Sequence, residues 1–456
     1  MIKKLDNLPK KAHIETADGS FLIDGGRNMR TQGRLLVSLL LLFLFISPSY
    51  AASRFRHKSA RTPVKTTKLR AHKRHLSPAT GIYVQTLAGK TLYEVGSEEL
   101  FNPASVIKIA TSLIALERLG YGHRFATHIY TNGTINQSGE LNGDLIIVGA
   151  GDPAFFYENA FMVTERLRGL GIDSINGDLI VIPPFYLNFN SSVTRSAEEL
   201  LELLKGENLS PAAAQAWLAY STPEGQPARE YQGIQVSGDA HIANAMVGRE
   251  MGQQLLTHLS RPLTEILKSQ NDFSNNFMAE AIGNHIGGPR AIERFLVETV
   301  GIPDQEIYVG NAAGLGENRI TPRAALQLIR HFYQSLISHG KRIEDLLPVA
   351  GIDAGTLEDR FTDPAVRGSV VAKTGTLAAH RVSALVGLAY TREQGVILFA
   401  ILNRDIVTRA RQQQDEFVSG LLTQYGGVTT HIDAMVDQPE KAIANPIVII
   451  SENIPR

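Results

Sequence analysis

The sequence predicts an α/β chain of the α+β kind: an antiparallel sheet flanked by helices, with a helical subdomain, interrupted by a strand-rich inserted module. Three observations predict it. Residues 369–377, 382–390 and 396–402 are β-branched and apolar runs joined by short turns, the pattern of an antiparallel meander. Apolar residues recur at helical spacing after Pro103 and again over 262–268, 276–285, 291–300, 322–338 and 407–425. Between about residues 125 and 248 the character changes to short apolar runs separated by Gly, Asn and Pro.

The 456 residues suffice for two or three domains, and the 43% hydrophobic content is ordinary for a globular protein. Lys+Arg and Asp+Glu both total 45, so the overall balance gives no reason to expect a nucleic-acid partner. The distribution is uneven. Residues 1–74 hold 16 of the basic residues and 4 of the acidic ones, leaving 29 and 41 for the rest. An acidic body follows a basic leader. The absence of cysteine excludes disulfides and thiolate metal sites.

Taken in order, residues 1–51 read as a leader. Arg30 and Arg34 precede a 12-residue apolar run, 35–46, and Ser49-Tyr50-Ala51 closes it as a small-x-Ala site. That is the form of a secretory signal peptide, cleaved after Ala51. The run is short for a membrane-spanning helix, which needs about 20 residues. An uncleaved anchor is the alternative, and Met29 competes with Met1 as the start. The protein is thus expected to be exported, to a periplasmic or extracytoplasmic site. Residues 52–76 form a basic linker. From Arg54 to Arg74 there are nine Lys/Arg and no acid, which suits a solvated spacer or attraction to anionic envelope polymer and lipid headgroups.

Residues 81–87 and 91–95 read as strands about an Ala88-Gly89 turn. Asn102 then suits an N-cap and Pro103 a first helical position, with Gly120 ending the helix. The inserted module, 125–248, contains an internal echo: Leu141-Asn-Gly-Asp-Leu-Ile-Ile and Ile175-Asn-Gly-Asp-Leu-Ile-Val. A helical piece is expected near 197–205. Gly149-Ala-Gly-Asp-Pro153 lacks the full phosphate-loop pattern and reads as a turn. Residues 77–124 and 249–425 make up one catalytic domain around the module. Asn311-Ala-Ala-Gly-Leu-Gly is a glycine-rich loop, Thr321-Pro322 caps a helix, and the tail 426–456 is ambiguous.

The chemistry centres on Ser105 and Lys108, one helical turn apart on one face. Serine is a weak nucleophile alone, and a neutral amine beside it takes its proton. The helix start adds free N–H groups and a positive dipole end. A Ser-x-x-Lys also arises by chance; Ser338-His-Gly-Lys341 is such a copy, with glycine inside the turn. Lys373-Thr374-Gly375-Thr376 is the one Lys-Thr-Gly in the chain, inside an expected strand. Glycine there marks close approach by another backbone or a ligand. Lys373 with the hydroxyls of Thr374 and Thr376 suits a substrate carboxylate; a surface lysine on an edge strand is the bland alternative. Ser-x-Asn begins at Ser174, Ser269, Ser274 and Ser451. Ser274-Asn275-Asn276 is best placed, capping the helix that opens at Asn276, and Ser269-Gln270-Asn271 is the decoy.

The order Ser-x-x-Lys, Ser-x-Asn, Lys-Thr-Gly is the signature set of penicillin-binding proteins and serine β-lactamases. The 169-residue gap from Ser105 to Ser274 resembles the D-alanyl-D-alanine carboxypeptidase/endopeptidase family, in which a large module interrupts the catalytic domain. Asn142-Gly-Asp-Leu with Gly151-Asp-Pro153, Ser274 to Glu280, Gly314-Leu315 with Arg319 to Pro322, and Leu347 to Gly351 add to that likeness, which runs from about Gly81 to Asn403. Asn275 stands where Asp is common, and the module is shorter than usual.

The resemblance implies a penicillin-binding/β-lactamase-like fold and hydrolysis of the terminal D-Ala of peptidoglycan stem peptides through an acyl-enzyme on Ser105, which β-lactam antibiotics trap. Lys108 accepts the proton. Ser274, poised by Lys373, protonates the leaving amine. Asn276 contacts substrate or Lys108, Thr374, Gly375 and Thr376 bind substrate, and the N–H groups of Ser105 and Thr376 form the oxyanion hole. It implies no metal and no cofactor. The alternatives are a D-Ala–diaminopimelate endopeptidase, a β-lactamase or esterase on the same scaffold, and a non-catalytic envelope-binding protein.

Overall fold

A meander near the C-terminus and a hairpin near residue 80 build one five-stranded antiparallel sheet. The computed structural model describes residues 79–222, 227, 229–244, 252–429, 432 and 447–451. The expected leader and its cleavage site, the basic segment 54–74, and Asn453 of the Ser451 motif lie outside the described residues.

In chain order the elements are β1 (Thr80–Thr86), β2 (Thr91–Val95), a 3-10 turn (Ala104–Ile107), α1 (Lys108–Leu119), β3 (Ala126–Thr131), β4 (Thr134–Ile135), β5 (Glu140–Asn142) and β6 (Leu145–Val148). Then come α2 (Tyr157–Gly169), β7 (Ser174–Asn176), β8 (Leu179–Ile182), α3 (Val193–Lys205), α4 (Pro211–Ser221), β9 (Gln235–Val236), β10 (Ala240–Ile242) and β11 (Gln253–Leu259). The chain continues through α5 (Leu263–Asp272), α6 (Asn276–His285), α7 (Gly288–Glu298), β12 (Ile307–Val309), β13 (Asn318–Ile320) and α8 (Pro322–Ser338). It closes with β14 (Val370–Leu377), β15 (Val382–Thr391), β16 (Gly395–Arg404), α9 (Val407–Gln424) and β17 (Ile447–Ile450).

The five-stranded sheet has the order β14-β15-β16-β1-β2. Side chains alternate between its faces, so each strand feeds two cores. Val371, Val386, Leu398 and Leu402 pack toward α1 and α8. Ala372, Leu385, Phe399 and Ile401 pack toward Phe417 and Leu421 of α9. Burying one such Leu or Ile is worth roughly 1.5–3 kcal/mol, so both faces of β14, an edge strand, are held firmly in place.

The inserted module has its own core and two further sheets, β10-β8-β6-β3-β11-β17 and β4-β5-β7-β9. The sequence echo has a structural cause here. β5, β7 and β9 pair in parallel, as do β6, β8 and β10, so successive Gly-Asp corners stack. Asp144 Oδ1 accepts the N–H of Asp178 at 2.8 Å, and Asp178 Oδ1 accepts that of Asp239 at 2.9 Å. A methyl group on Gly177 would lie 2.3 Å from the Gly143 carbonyl oxygen, which explains why the corner is glycine.

The module sheet does not stop at residue 248. β11 pairs with β3, and β17, from the tail, pairs with β11. Long-range partners of this kind leave no local signal. Two helices of the module also go beyond the sequence reading: α2 and α4. α2 buries polar Asn159 and Thr164, and α4 is Ala-rich, so neither shows strong apolar contrast.

Candidate active site

Ser105 sits in a backbone corner rather than in a regular helix. Asn102 Oδ1 accepts the Ala104 N–H at 2.8 Å, and Ala104 has φ 46°. That left-handed conformation is costly for a residue with a Cβ and breaks the helix expected from Pro103. A 3-10 turn follows, and α1 proper begins only at Lys108. The correction sharpens the geometry. In a 3-10 turn residues i and i+3 eclipse, which stacks Lys108 directly over Ser105. Nζ lies 2.9 Å from Ser105 Oγ.

Lys108 is fully buried and has two further partners, Asn276 Oδ1 at 2.8 Å and the Ala313 carbonyl at 2.5 Å. Burial, reinforced by the charge of Lys373, holds its ammonium well below the usual lysine range, with Glu280 opposing. Asn276 reaches this position because α6 starts there. The cap of α6 is Asn275, whose side chain accepts the Met278 N–H at 3.0 Å. Ser274 is therefore not the cap that its sequence position suggested. It occupies the connecting turn with φ 53°, between Asp272 and Asn276.

The decoys have other employment. Asn271 is buried and donates to Ser112 Oγ at 3.1 Å and to the Leu346 carbonyl at 3.0 Å. Ser269 is an interior residue of α5. Ser338 ends α8 and donates to the Ser335 carbonyl, while Lys341 follows Gly340 at φ 67°. Ser174 lies on β7, in the small β4-β5-β7-β9 sheet of the inserted module rather than in the sheet that carries Lys373.

Lys373 is fully buried in β14, and its Nζ donates to the Thr374 carbonyl at 3.0 Å. Burial lowers its pKa to about 7, against the pull of the Asp272 carboxylate. Asp272 itself pairs with Lys268 at 2.9 Å, and Lys268 with Asp353 at 2.6 Å. Burial pushes the Asp272 carboxyl up to about 7, with Lys268 opposing. The turn carrying Ser274 thus runs from a carboxylate facing Lys373 to an amide facing Lys108. No hydrogen bond joins Ser274 to Lys373 among the described residues.

β14 presents a usable edge. The Ala372 N–H donates to the Pro348 carbonyl and the Val370 carbonyl accepts from Ala350, so these alternate residues turn their backbone groups away from β15. Thr374 and Thr376 continue that parity. A side chain at Gly375 would put its Cβ 2.2 Å from the Pro103 carbonyl oxygen. Glycine lets the strand run against the corner that carries Ser105. Thr374 and Thr376 share the strand face opposite Lys373 and Gly375, and Thr376 Oγ1 accepts from Arg411 of α9 at 3.1 Å.

Four contributors escaped sequence reasoning: Glu280, the Ala313 carbonyl, Asp272 and Arg411. Glu280 had a signal, since it lies four residues after Asn276. A backbone carbonyl and long-range partners from α5 and α9 had none.

A family model described as the D-Ala-D-Ala carboxypeptidase 3 (S13) family matches residues 68–183 and 215–425. A D-alanyl-D-alanine carboxypeptidase of Actinomadura sp. (strain R39) is 24% identical over 442 residues, covering 76% of this chain and 81% of that protein. A carboxypeptidase of Mycobacterium tuberculosis is 26% identical over 411 residues, covering 76% and 80%. Among solved structures, a penicillin G-acylated predatory endopeptidase of Bdellovibrio bacteriovorus superposes with TM-score 0.68 at 23% identity, covering 78% of this chain and 95% of that one. Penicillin-binding protein 4 of Haemophilus influenzae gives 0.57 at 19%, covering 76% and 96%.

Proposed function

The chain belongs to the D-Ala-D-Ala carboxypeptidase 3 (S13) family and is a serine-type D-Ala-D-Ala carboxypeptidase, and from that premise we propose how its residues divide the reaction. Ser105 Oγ attacks the carbonyl carbon of the penultimate D-Ala of a peptidoglycan stem peptide, and its proton passes to the neutral amine of Lys108. The N–H groups of Ser105 and Thr376 hold the oxyanion, each worth about 3–4 kcal/mol where such donors have been removed. The C–N bond breaks, and the proton that Lys108 took from Ser105 passes through Ser274, poised by the charged Lys373, to the departing D-Ala amine, which leaves Lys108 neutral. Water then attacks the ester and gives its proton to the neutral Lys108, which returns it to Ser105 Oγ as the acid product leaves. The observation that carries this reading is the buried Lys108 amine 2.9 Å from Ser105 Oγ, with burial favouring its neutral form.

The terminal carboxylate of the substrate meets Thr374, Gly375 and Thr376 on the open edge of β14. Lys373, with a pKa near 7, supplies only part of a positive charge at neutral pH. Arg411, donating to Thr376, supplies a permanent one. Arg411→Ala should raise KM for D-Ala-D-Ala peptides more than it lowers kcat. The activity itself is tested by incubating the enzyme with a soluble stem pentapeptide and, separately, with a cross-linked dimer. Free D-Ala from the first is the expected product. Cleavage of the dimer alone makes the protein an endopeptidase, the activity carried in the name of the Bdellovibrio structure.

Among the described residues no helix is long and apolar enough to cross a membrane. We place the enzyme outside the cytoplasm, exported by the leader that ends at Ala51. Intact mass of protein recovered from the envelope should then start at Ala52; a chain retaining residues 35–46 means an anchor. The nine unopposed charges from Arg54 to Arg74 dock the acidic body onto anionic envelope material. Sedimentation with sacculi should weaken in 1 M salt, where the Debye length falls to about 3 Å. Equal sedimentation after deletion of the segment rules that contact out.

A further inference from the structure

α6 brings two side chains to Lys108 rather than one. Asn276 and Glu280 lie one turn apart on one face of that helix. Asn276 Oδ1 meets Nζ directly. Glu280 Oε1 accepts the Ala313 N–H at 2.8 Å, and the carbonyl of the same residue accepts from Lys108 Nζ. We propose that Glu280 is a positioning residue for Lys108, acting through the Ala313 residue of the glycine-rich loop. The proposal rests on the reading of Lys108 as the base for Ser105.

A neutral lysine amine has two hydrogens and one lone pair. Asn276 Oδ1 and the Ala313 carbonyl can only accept, so together they take both hydrogens. The lone pair is left facing Ser105 Oγ, the third partner, whose hydroxyl then donates to it. The amine is in the one orientation that serves proton transfer only while both acceptors stay in place. Asn276 is fixed at the start of a helix. Ala313 lies in a loop, and loops need anchoring. Thr111 Oγ1 donates to the Ala312 carbonyl at 2.8 Å, and Asn311 Oδ1 accepts the Gly314 N–H at 2.7 Å. Glu280 supplies the anchor at Ala313 itself.

The charge of Glu280 has a second consequence. Lys108 faces Lys373 from β14, Asn276 and Glu280 from α6, and Ser105 on its own turn; Asp272 of α5 faces Lys373. Glu280 is the carboxylate that favours the charged form of Lys108, against burial and Lys373. It moderates the loss of basicity, so the amine that receives the Ser105 proton can keep it. A hydrogen bond to a carboxylate also polarises the peptide it holds.

Charge and hydrogen bond separate in two variants. E280Q keeps an acceptor for the Ala313 N–H and removes the charge; E280A removes both. The readout is the acylation rate by a fluorescent penicillin between pH 4 and 10, with melting curves alongside. E280Q should move the acidic limb to lower pH while retaining most of the rate at the optimum. E280A should lose rate at every pH, about a hundredfold if the amine shifts by about an ångström. Profiles of both variants that superimpose on the parent overturn the proposal, as does an equal loss in both with an unmoved limb. Should E280A melt below the assay temperature, the limb of E280Q decides. A Ser105→Ala arm separates the two readings: labelling that survives it overturns the role of Ser105, whereas silence there with parent-like Glu280 variants overturns only the role of Glu280.

Discussion

Ser105→Ala abolishes covalent labelling by penicillin and release of D-Ala, with a loss of about a millionfold, the scale seen when a serine hydrolase loses its nucleophile. Ser338→Ala, in the second Ser-x-x-Lys, leaves labelling intact. The contrast follows from geometry. Ser105 has a buried amine 2.9 Å away and lies in the corner against which Gly375 of β14 packs, whereas Ser338 donates to a carbonyl of its own helix. The fold should not suffer, because among the described residues the Ser105 hydroxyl is hydrogen-bonded to Lys108 alone and no apolar core is opened. A mass adduct of one penicillin on the peptide containing Ser105 is the direct observation; an adduct elsewhere sinks the assignment. The pH profile of the parent has a defined sign. With Lys108 as the proposed base, the rate should fall as pH drops through its lowered pKa. In the proposed mechanism Lys373 serves substrate binding and poises Ser274 for leaving-group protonation in its charged form. The rate should therefore fall again as pH rises through about 7, its pKa in the free enzyme, with the alkaline limb moved upward in kcat because a bound carboxylate favours the ammonium.

How much of this was legible beforehand depends on the range of the interaction concerned. The meander β14–β16 and the caps of local helices such as α8, where Thr321 Oγ1 accepts the Ala324 N–H, are written in short windows. The Ser105–Lys108 pair is local too, yet its quality was not legible. A periodic pattern predicts an α-helix from Pro103, and only the positive φ of Ala104 and the resulting 3-10 turn bring the amine onto the hydroxyl. The residues that tune the lysines come from elsewhere in the chain. Asp272 acts on Lys373 across 101 positions, and Ala313 reaches Lys108 across 205. A backbone carbonyl has no residue-type signature, so no inspection of the sequence finds it. The stacked Gly-Asp corners show the opposite case. Their repeat was visible, but its meaning, hydrogen bonds from Asp144 to Asp178 to Asp239, needed the parallel pairing of strands separated by whole helices.

Ser274→Ala depresses penicillin acylation and D-Ala release by orders of magnitude, while Ser269→Ala leaves both within a few-fold of the parent. Each serine begins a Ser-x-Asn, and they lie five residues apart. Sequence reasoning preferred Ser274 as a helix cap. That reason fails, since Asn275 is the cap, and a stronger one replaces it. Ser274 is pinned in a turn with φ 53°, closed by the Phe273 N–H on the Ser269 carbonyl and the Asn275 N–H on the Gln270 carbonyl. Strained non-glycine residues of this kind concentrate at functional sites. Two residues before it Asp272 faces Lys373; two residues after it Asn276 touches Lys108. Ser269 sits inside α5, and its partner Asn271 is committed to Ser112 and Leu346, which hold α5 to α1 and to the segment before β14. A proton-passing hydroxyl must come within about 2.6–3.2 Å of its partners in the substrate complex, and the 272–276 turn is where the chain comes between the two lysines. Acylation kinetics on the two variants decide. If Ser269→Ala is the crippled one and Ser274→Ala acylates normally, the turn is structural, and Asn271 rather than Asn276 belongs to the second motif.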